Sequence, residues 1–277
     1  MQIDPFFQVP QRSVNTSKGP VELPVLYKEG DYSVALFCTL RKSVEAQLAG
    51  TSFVPAMTFG RFAVVGLVMA NFTLCSEAPY CMTSLAIPVS RQQGFRPVSP
   101  WRELFSKADQ RHMGFYLVNC TSSSPHMAAV SREIWGHPKS HSIVSMALNK
   151  ASLNCRVECA ERRQTLLQFK GTGLRFWKVR PISFTMFSIL GNQVMRSILD
   201  TRAPYNVHIP YGFRLQLGVD HPSTRPFRKL GLDGKRPLAV MSTSHFQGRF
   251  NEGVAIEELS AAADTCKFPL SSGTFRV

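Results

Sequence analysis

A single lysine, Lys139, stands directly after a stretch that has the signals of a helix with a sharp end. Ser124 is suited to cap a helix, and Pro125 fits the first turn, where a missing N–H costs nothing. Gly136 suits the left-handed residue that ends a helix, and Pro138 cannot continue one. The pattern predicts a helix of about ten residues that holds Lys139 on a short rigid turn. A cation also suits a helix C-terminus, so a structural role is the simpler interpretation of the spacing alone.

The chemistry open to such a lysine depends on its protonation, because only the free amine attacks a ketone. A lysine ordinarily has a pKa of about 10.4, and lowering it to about 7 requires about 4 to 5 kcal/mol. An exposed neighbouring charge contributes at most about 1 kcal/mol, whereas burial penalises the ammonium form directly. We therefore expect a reactive lysine here to be buried, and the candidate walls of its site are Trp135, His137, Met113 and Phe115.

The elements that must position this lysine are predominantly strands. Short apolar runs occur at residues 31–40, 61–74, 83–89, 113–120, 153–159, 165–169, 174–179, 182–190, 193–199, 206–209, 213–219 and 238–244, and those at 31–40 and 153–159 alternate with a period of two. Outside the helix after Ser124, a helical pattern occurs at residues 41–49, in a turn at 101–105 and near residues 257–263. Ten or more strands with one or two short helices predict a mainly β (α+β at most) fold, a closed barrel or related curved sheet.

The domain organisation predicted from the sequence is simple. Residues 1–30 are rich in Pro, Gly and Ser and are predicted to form an irregular N-terminal arm. Residues 31–255 contain no repeat and no clear linker, which indicates a single barrel domain. Residues 256–277 are predicted to hold a short helix near 257–263 and a loose tail, and residues 221–235 a surface loop.

Composition limits the classes of partner. The formal net charge is +14, which favours nucleic acid or an anionic surface as a partner. However, no run of basic residues exceeds two, and no DNA-binding or RNA-binding motif accompanies them. The longest apolar stretch, residues 62–74, is too short to span a membrane, which takes about twenty residues. We therefore predict neither a nucleic-acid partner nor a membrane partner.

The cysteines and the N-terminus indicate the compartment. The seven cysteines form no CxxC pair, and the first residues do not resemble a signal peptide, so a reducing, cytoplasmic location is predicted. Cys155 and Cys159 share one face of an alternating strand, which favours packing over metal binding. No metal site and no cofactor motif is predicted.

Four short motifs resemble the acetoacetate decarboxylase-like superfamily. Arg132-Glu133 followed by Pro138-Lys139 is similar to the family segment that carries the Schiff-base lysine. The sequences at 86–90, 214–217 and 242–245 resemble further family segments in the same order. The resemblance covers roughly residues 20 to 255 and implies a cone-like β-barrel with a central ligand cavity, assembled into a homo-oligomer. It also implies that Lys139 is the nucleophile and that Arg132, Glu133, His137, Tyr80, Met82 and Met113 are candidate substrate contacts.

The sequence departs from the family pattern at its polar positions. Met82 stands where the family has a glutamate two residues after a tyrosine, here Tyr80. A second family glutamate corresponds to Leu67. The family arginine falls at Gly30, with Lys28 nearby, and Ser140 replaces the second lysine that commonly follows the nucleophile. The lysine is kept while its polar partners are missing.

These observations predict a cofactor-free Schiff-base lyase that acts through Lys139 on a small keto acid. Three alternatives remain open: a non-catalytic barrel that binds a small ligand or an assembly partner, an aldolase-type or dehydratase-type imine enzyme without decarboxylase activity, and, less favoured, a nucleic-acid-binding protein. Glu133 could contact a substrate or form an ion pair on the helix surface. His137 could act as an acid or base or simply line a wall.

Overall fold

The computed structural model describes residues 4–92, 99–150 and 152–258. Its strands are β1 (Arg12–Thr16), β2 (Gly19–Leu23), β3 (Val25–Leu40), β4 (Phe53–Pro55), β5 (Thr58–Phe59), β6 (Phe62–Cys75), β7 (Tyr80–Arg91), β8 (Met113–Ser122), β9 (Lys139–His141), β10 (Ile143–Asn149), β11 (Ser152–Glu158), β12 (Thr165–Thr172), β13 (Leu174–Val179), β14 (Phe184–Leu190), β15 (Gln193–Thr201), β16 (Tyr205–Ile209), β17 (Arg214–Leu217), β18 (Ala239–Thr243), β19 (Gly248–Phe250) and β20 (Val254–Glu258). The α-helices are α1 (Arg41–Gln47), α2 (Pro100–Glu103), α3 (Pro125–Glu133) and α4 (Arg225–Lys229), and two 3-10 helices cover Pro5–Phe7 and Ala108–Gln110.

Seven strands close into a barrel in the order β3, β19, β15, β14, β8, β7 and β6, and β6 pairs again with β3. Neighbours in the ring are antiparallel except β8 and β14, which are parallel. The long strand β3 is shared: its first residues pair with β19 and its later ones with β18. Beyond β18 the sheet continues through β16 to β13, outside the ring. The predicted closed β-barrel is therefore confirmed.

A second, four-stranded sheet of β10, β11, β12 and β17 packs against the outside of the barrel. Its alternating sequence explains this packing, since Leu153, Cys155 and Val157 of β11 are all buried while the residues between them are not. They meet Leu67 of β6 and Leu85 of β7 in the largest hydrophobic core of the described residues. Cys155 is free and buried in this core, as its predicted packing role requires.

Three local predictions need correction. The arm over residues 1–30 is not irregular throughout, because β1 and β2 form a hairpin and β3 already begins at Val25. The loop at 221–235 contains α4, and the described residues hold four α-helices instead of one or two. The helix predicted near 257–263 does not begin there, since Glu257 and Glu258 end β20, and the rest of it lies outside the described residues.

Within the described ranges, no helix combines the length and the apolar character that crossing a membrane requires.

Candidate active site

The interior of the barrel encloses a cavity of about 440 Å³. This volume lies within the range of about 300 to 1,000 Å³ that is typical of small-molecule sites. Inward-facing residues of the ring strands form its walls, among them Tyr32, Val68, Phe115 and Phe184. Its mouth lies beside α2 and β13, where half-exposed apolar side chains line the entrance, namely Trp101, Phe105, Trp177 and Leu238.

Lys139 projects into this cavity from β9. This strand pairs in parallel with β8, and Lys139 lies opposite Cys120. The Lys139 side chain is only 6% exposed. Its Nζ lies 3.9 Å from Sδ of Met82 and 6.0 Å from the centre of the Tyr80 ring. The amine therefore has a thioether and an aromatic face as neighbours instead of a carboxylate.

The electrostatics of the cavity favour the neutral amine. Burial lowers the pKa of Lys139, because the ammonium form loses its hydration. Cys120 would oppose this effect only as a thiolate, and burial raises the pKa of that thiol. No aspartate or glutamate is found among the described residues that line the cavity. The predicted burial of the lysine is thus observed, although no second lysine follows it.

The local sequence explains how Lys139 reaches this position. The Ser124 hydroxyl caps α3 by accepting a hydrogen bond from the Met127 N–H, as predicted. Gly136 adopts φ 66°, and a Cβ there would lie 2.5 Å from the Ile189 carbonyl oxygen, so only glycine fits this turn. The Arg132 guanidinium donates a hydrogen bond of 2.6 Å to the Lys139 carbonyl, which ties the end of the helix to β9.

Two polar side chains of the cavity wall have no hydrogen-bond partner among the described residues. Both ring nitrogens of His137 and the Ser131 hydroxyl are buried and unpaired. Burial, followed by the charge of Lys139, lowers the pKa of His137 to about 3. The imidazole, which lies parallel to the Phe250 ring, is therefore neutral near pH 7. Both groups can exchange a hydrogen bond with a bound molecule.

Some of the predicted site residues meet at Lys139. Tyr80, Met82 and His137 lie beside the amine or line the same cavity, and all of them were candidates from the sequence. The Tyr80 hydroxyl is 2.8 Å from the Tyr27 hydroxyl, and burial raises the pKa of both phenols, so both stay protonated. The predicted wall residues Trp135 and Phe115 also line the cavity.

Three other candidates lie elsewhere. Glu133 is exposed and accepts hydrogen bonds from the backbone N–H and the hydroxyl of Ser17, so it anchors the β1–β2 hairpin to α3 and does not face the cavity. Arg132 is also exposed and reaches only the Lys139 backbone. Met113 packs against Met57 at the far end of β8 and is not among the lining residues. The geometry therefore does not support direct substrate contacts for these three.

The positions matched to the missing family residues also need correction. Leu67 faces the core outside the barrel, whereas its neighbours Gly66 and Val68 line the cavity, because successive residues of a strand face opposite sides. A Cβ at Gly30 would lie 2.5 Å from the Asn71 carbonyl oxygen, and Lys28 is exposed. Of the expected polar positions, only that of Met82 borders the lysine.

Sequence reasoning missed Ser131 and most of the aromatic wall. Ser131 carried a detectable signal, since it lies four residues after Met127 and therefore on the buried stripe of α3. Tyr27, Phe72 and Phe250 come from distant strands that only the closed barrel brings together. Across the described ranges, no cluster of three or more histidine, cysteine, aspartate or glutamate side chains is placed to bind a metal ion.

Comparison with solved structures defines the class of fold. The chain has the fold of the acetoacetate decarboxylase-like enzymes, which is the fold that the resemblance of the motifs implied. An acetoacetate decarboxylase from Legionella pneumophila aligns with a TM-score of 0.60 and 13% identity over 91% of this chain and 92% of that chain. The enduracididine biosynthesis enzyme MppR, in complex with pyruvate, aligns with a TM-score of 0.58 and 9% identity over 84% and 90% of the two chains.

A second acetoacetate decarboxylase structure has a TM-score of 0.58 and 14% identity over 85% of this chain and 90% of that one. The sequence matches no protein-family model, and no curated protein sequence is similar to it. At these identities the likeness shows the fold and marks the chain as divergent.

Proposed function

We propose that this protein is a Schiff-base-forming enzyme in which the Lys139 amine attacks a carbonyl compound held in the barrel. The observation that carries the proposal is the burial of Lys139 in a cavity whose described lining contains no acidic side chain. Burial without a counter-ion favours the free amine, which is the nucleophilic form. The acetoacetate decarboxylase-like fold supports the same chemistry, since the resemblance assigns the imine to this lysine.

The proposed reaction begins when the Nζ lone pair adds to the carbonyl carbon and gives a carbinolamine. Water then leaves, and the protonated imine withdraws electrons from the adjacent carbon. Cleavage of a bond to that carbon releases carbon dioxide from a β-keto acid, as in a decarboxylase-like lyase, or a carbonyl fragment in a retro-aldol reaction. The bonding electrons pass to the imine nitrogen, and the resulting enamine takes up a proton before water hydrolyses the imine and frees Lys139. The unpaired His137 and Ser131 are the side chains available to orient the oxygen and to pass its proton.

Reductive trapping tests this proposal. Protein is incubated with borohydride and a panel of α-oxo acids, β-oxo acids, aldehydes and ketones, followed by intact mass measurement and peptide mapping. We expect one stable adduct on Lys139 with at least one of these compounds. Lys139→Met should lack it, whereas Lys170→Met should keep it, because Lys170 is exposed on β12 and remote from the cavity lining. Adducts spread over exposed lysines alone would contradict the proposal.

A non-catalytic ligand-binding barrel is the second candidate. It is favoured by Met82, which occupies the place beside Nζ where a carboxylate could assist proton transfer. Under this alternative a carbonyl compound binds in the cavity but is not trapped on Lys139, even at alkaline pH where the amine is free. Assembly into a homo-oligomer remains a prediction of the resemblance, and light scattering of the full chain would measure it.

A further inference from the structure

The charge of the cavity wall restricts the kinds of compound that can bind beside Lys139. Lys139 is the one side chain of the described cavity lining that can carry a positive charge near pH 7, since His137 is neutral there. The other polar side chains are few. The Ser84 hydroxyl is 2.7 Å from Sγ of Cys120, and the Tyr27 hydroxyl pairs with Tyr80. A bound carboxylate would therefore find two unpaired neutral groups, on His137 and Ser131, and no second cation.

A keto acid in this cavity would favour the unreactive ammonium form of Lys139. Its carboxylate would lose its hydration on entry, which is costly without a partner. The described lining offers one cation for it, the ammonium form of Lys139 itself. An ion pair there stabilises the ammonium and removes the nucleophile. A neutral carbonyl compound has no carboxylate to lose its hydration and forms no ion pair with Lys139.

The size of the cavity argues in the same direction. Water occupies about 30 Å³ per molecule in the liquid, so the cavity holds about fifteen water-sized groups. The non-hydrogen atoms of a three-carbon or four-carbon keto acid would fill less than half of it. The remaining space would be water against aromatic and aliphatic side chains, which is unfavourable.

One row of cavity-lining residues runs along strand β7. Met82, Ser84, Ala86 and Pro88 alternate along β7, and all four line the cavity. The distance along the strand from Met82, beside Lys139, to Pro88, towards the mouth, is about 20 Å at about 3.3 Å per residue. The lining therefore extends along β7 from the residue beside the amine to Pro88, and its exposed members, such as Trp101 and Phe105, are apolar.

We propose, on the basis of the imine chemistry above, that the substrate is a neutral, hydrophobic aldehyde or ketone of about ten to fourteen non-hydrogen atoms. Its carbonyl group lies at Lys139, and its chain or ring lies along β7 towards the mouth. Nζ adds to the carbonyl carbon and loses its two protons, the carbonyl oxygen leaves with those protons as water, and the product is the imine. This substrate class replaces the small keto acid expected from the family resemblance.

The experiment compares ligands that differ in one property at a time. Decanal and its ω-oxo acid counterpart, the same chain ending in a carboxylate, share one reactive carbonyl and differ in charge. Decanal and butanal differ in length, and pyruvate represents the small keto acids. Each is titrated against the full-length protein with cyanoborohydride. The adduct on the Lys139 peptide is measured relative to the adduct on the Lys170 peptide, which corrects for intrinsic reactivity.

We expect half-maximal trapping on Lys139 at a concentration of decanal at least about tenfold below that of the ω-oxo acid and of butanal, with pyruvate the weakest. Equal or better trapping of the oxo acids on Lys139 overturns the substrate class and leaves the imine proposal standing. Absence of a Lys139 adduct with all four ligands overturns this inference, and absence with the whole panel described above overturns the imine proposal as well. Lys139→Met, whose side chain is similar in volume, identifies any adduct assigned to the wrong peptide.

Discussion

The wall formed by β6 and β7 has two apolar faces, of which one packs against the second sheet and the other borders the cavity. On the outer face, Leu67 and Leu85 are fully buried against Cys155 and Phe169 of the second sheet. On the inner face, residues such as Val68 border the cavity of about 440 Å³. Both faces have the hydrophobic composition of a core, yet only the outer one is filled by side chains of the protein.

The difference shows what apolar side chains do on each face. On the outer face they stabilise the fold by packing, and their removal leaves a void. On the inner face they exclude water from Lys139 and thereby lower its pKa. Apolar residues thus perform a structural task on one side of a strand and an electrostatic task on the other.

The largest expected effect comes from the same substitution on the two faces. Leu67→Ala, in the filled core, should lower the free energy of unfolding by about 3 to 5 kcal/mol. Leu117→Ala, on the cavity wall, should lower it by about 1 to 2 kcal/mol, because this leucine already borders empty space. Urea denaturation measures both values, and equal losses would remove the distinction between the two faces.

Removal of the buried amine should stabilise the protein. Lys139→Met eliminates an amine that must give up its hydration or its proton on folding, so we expect the free energy of unfolding at pH 7 to rise by about 1 to 3 kcal/mol. The gain should shrink as the pH rises from the lowered pKa of folded Lys139 towards about 10.4, because the unfolded chain then also loses its proton. A destabilised variant at neutral pH would mean that the ammonium has a partner.

The buried imidazole should make stability sensitive to acid. The pKa of His137 falls from 6.5 to about 3 on folding, so the unfolded chain binds the extra proton between these values. As the pH falls through this window, the free energy of unfolding of the native protein should decrease by up to about 1.4 kcal/mol per pH unit relative to that of His137→Phe. Carboxylates titrate in both proteins and cancel in the difference. Parallel curves for the two proteins between pH 6.5 and pH 4.5 would contradict the burial.

The smallest expected effect separates two neighbours on α3. Arg132→Gln removes the hydrogen bond to the Lys139 carbonyl and should slow imine trapping by about threefold to tenfold through misplacement of the amine. Glu133→Gln changes only the contact with Ser17 and should leave the trapping rate unchanged. An imine-trapping rate for Arg132→Lys close to that of the unsubstituted protein would support a positioning role for Arg132. Trapping rates for all three variants that equal the rate of the unsubstituted protein would exclude this role.

The segment around Lys139 could be predicted well because its signals are local. The cap at Ser124, the turn at Gly136 and the end of α3 before Pro138 all follow from short-range backbone chemistry. The same periodicity that places Met127 on the buried stripe places Arg132 and Glu133 off it. The family motif outweighed this geometric signal, and the two residues were predicted as substrate contacts.

The family resemblance implied a cavity, but local patterns in the sequence could not show which faces of the strands border it. An alternating pattern shows that Leu67 and Val68 face opposite sides of β6. Both sides are apolar, so the pattern does not identify the side that borders the cavity. That information lies in the closure of the ring and in the position of the second sheet. Both depend on pairings between residues far apart in the chain, which local patterns do not encode.

The shared strand β3 takes part in pairings of very different separation along the chain. Its pairing with β6 joins neighbouring parts of the chain, whereas β18 and β19 reach it across about 200 residues, and such distant pairings form slowly. Phe250, at the end of β19, completes the wall beside His137. The shelter of the nucleophile therefore depends in part on a strand that pairs with β3 across about 200 residues of the chain.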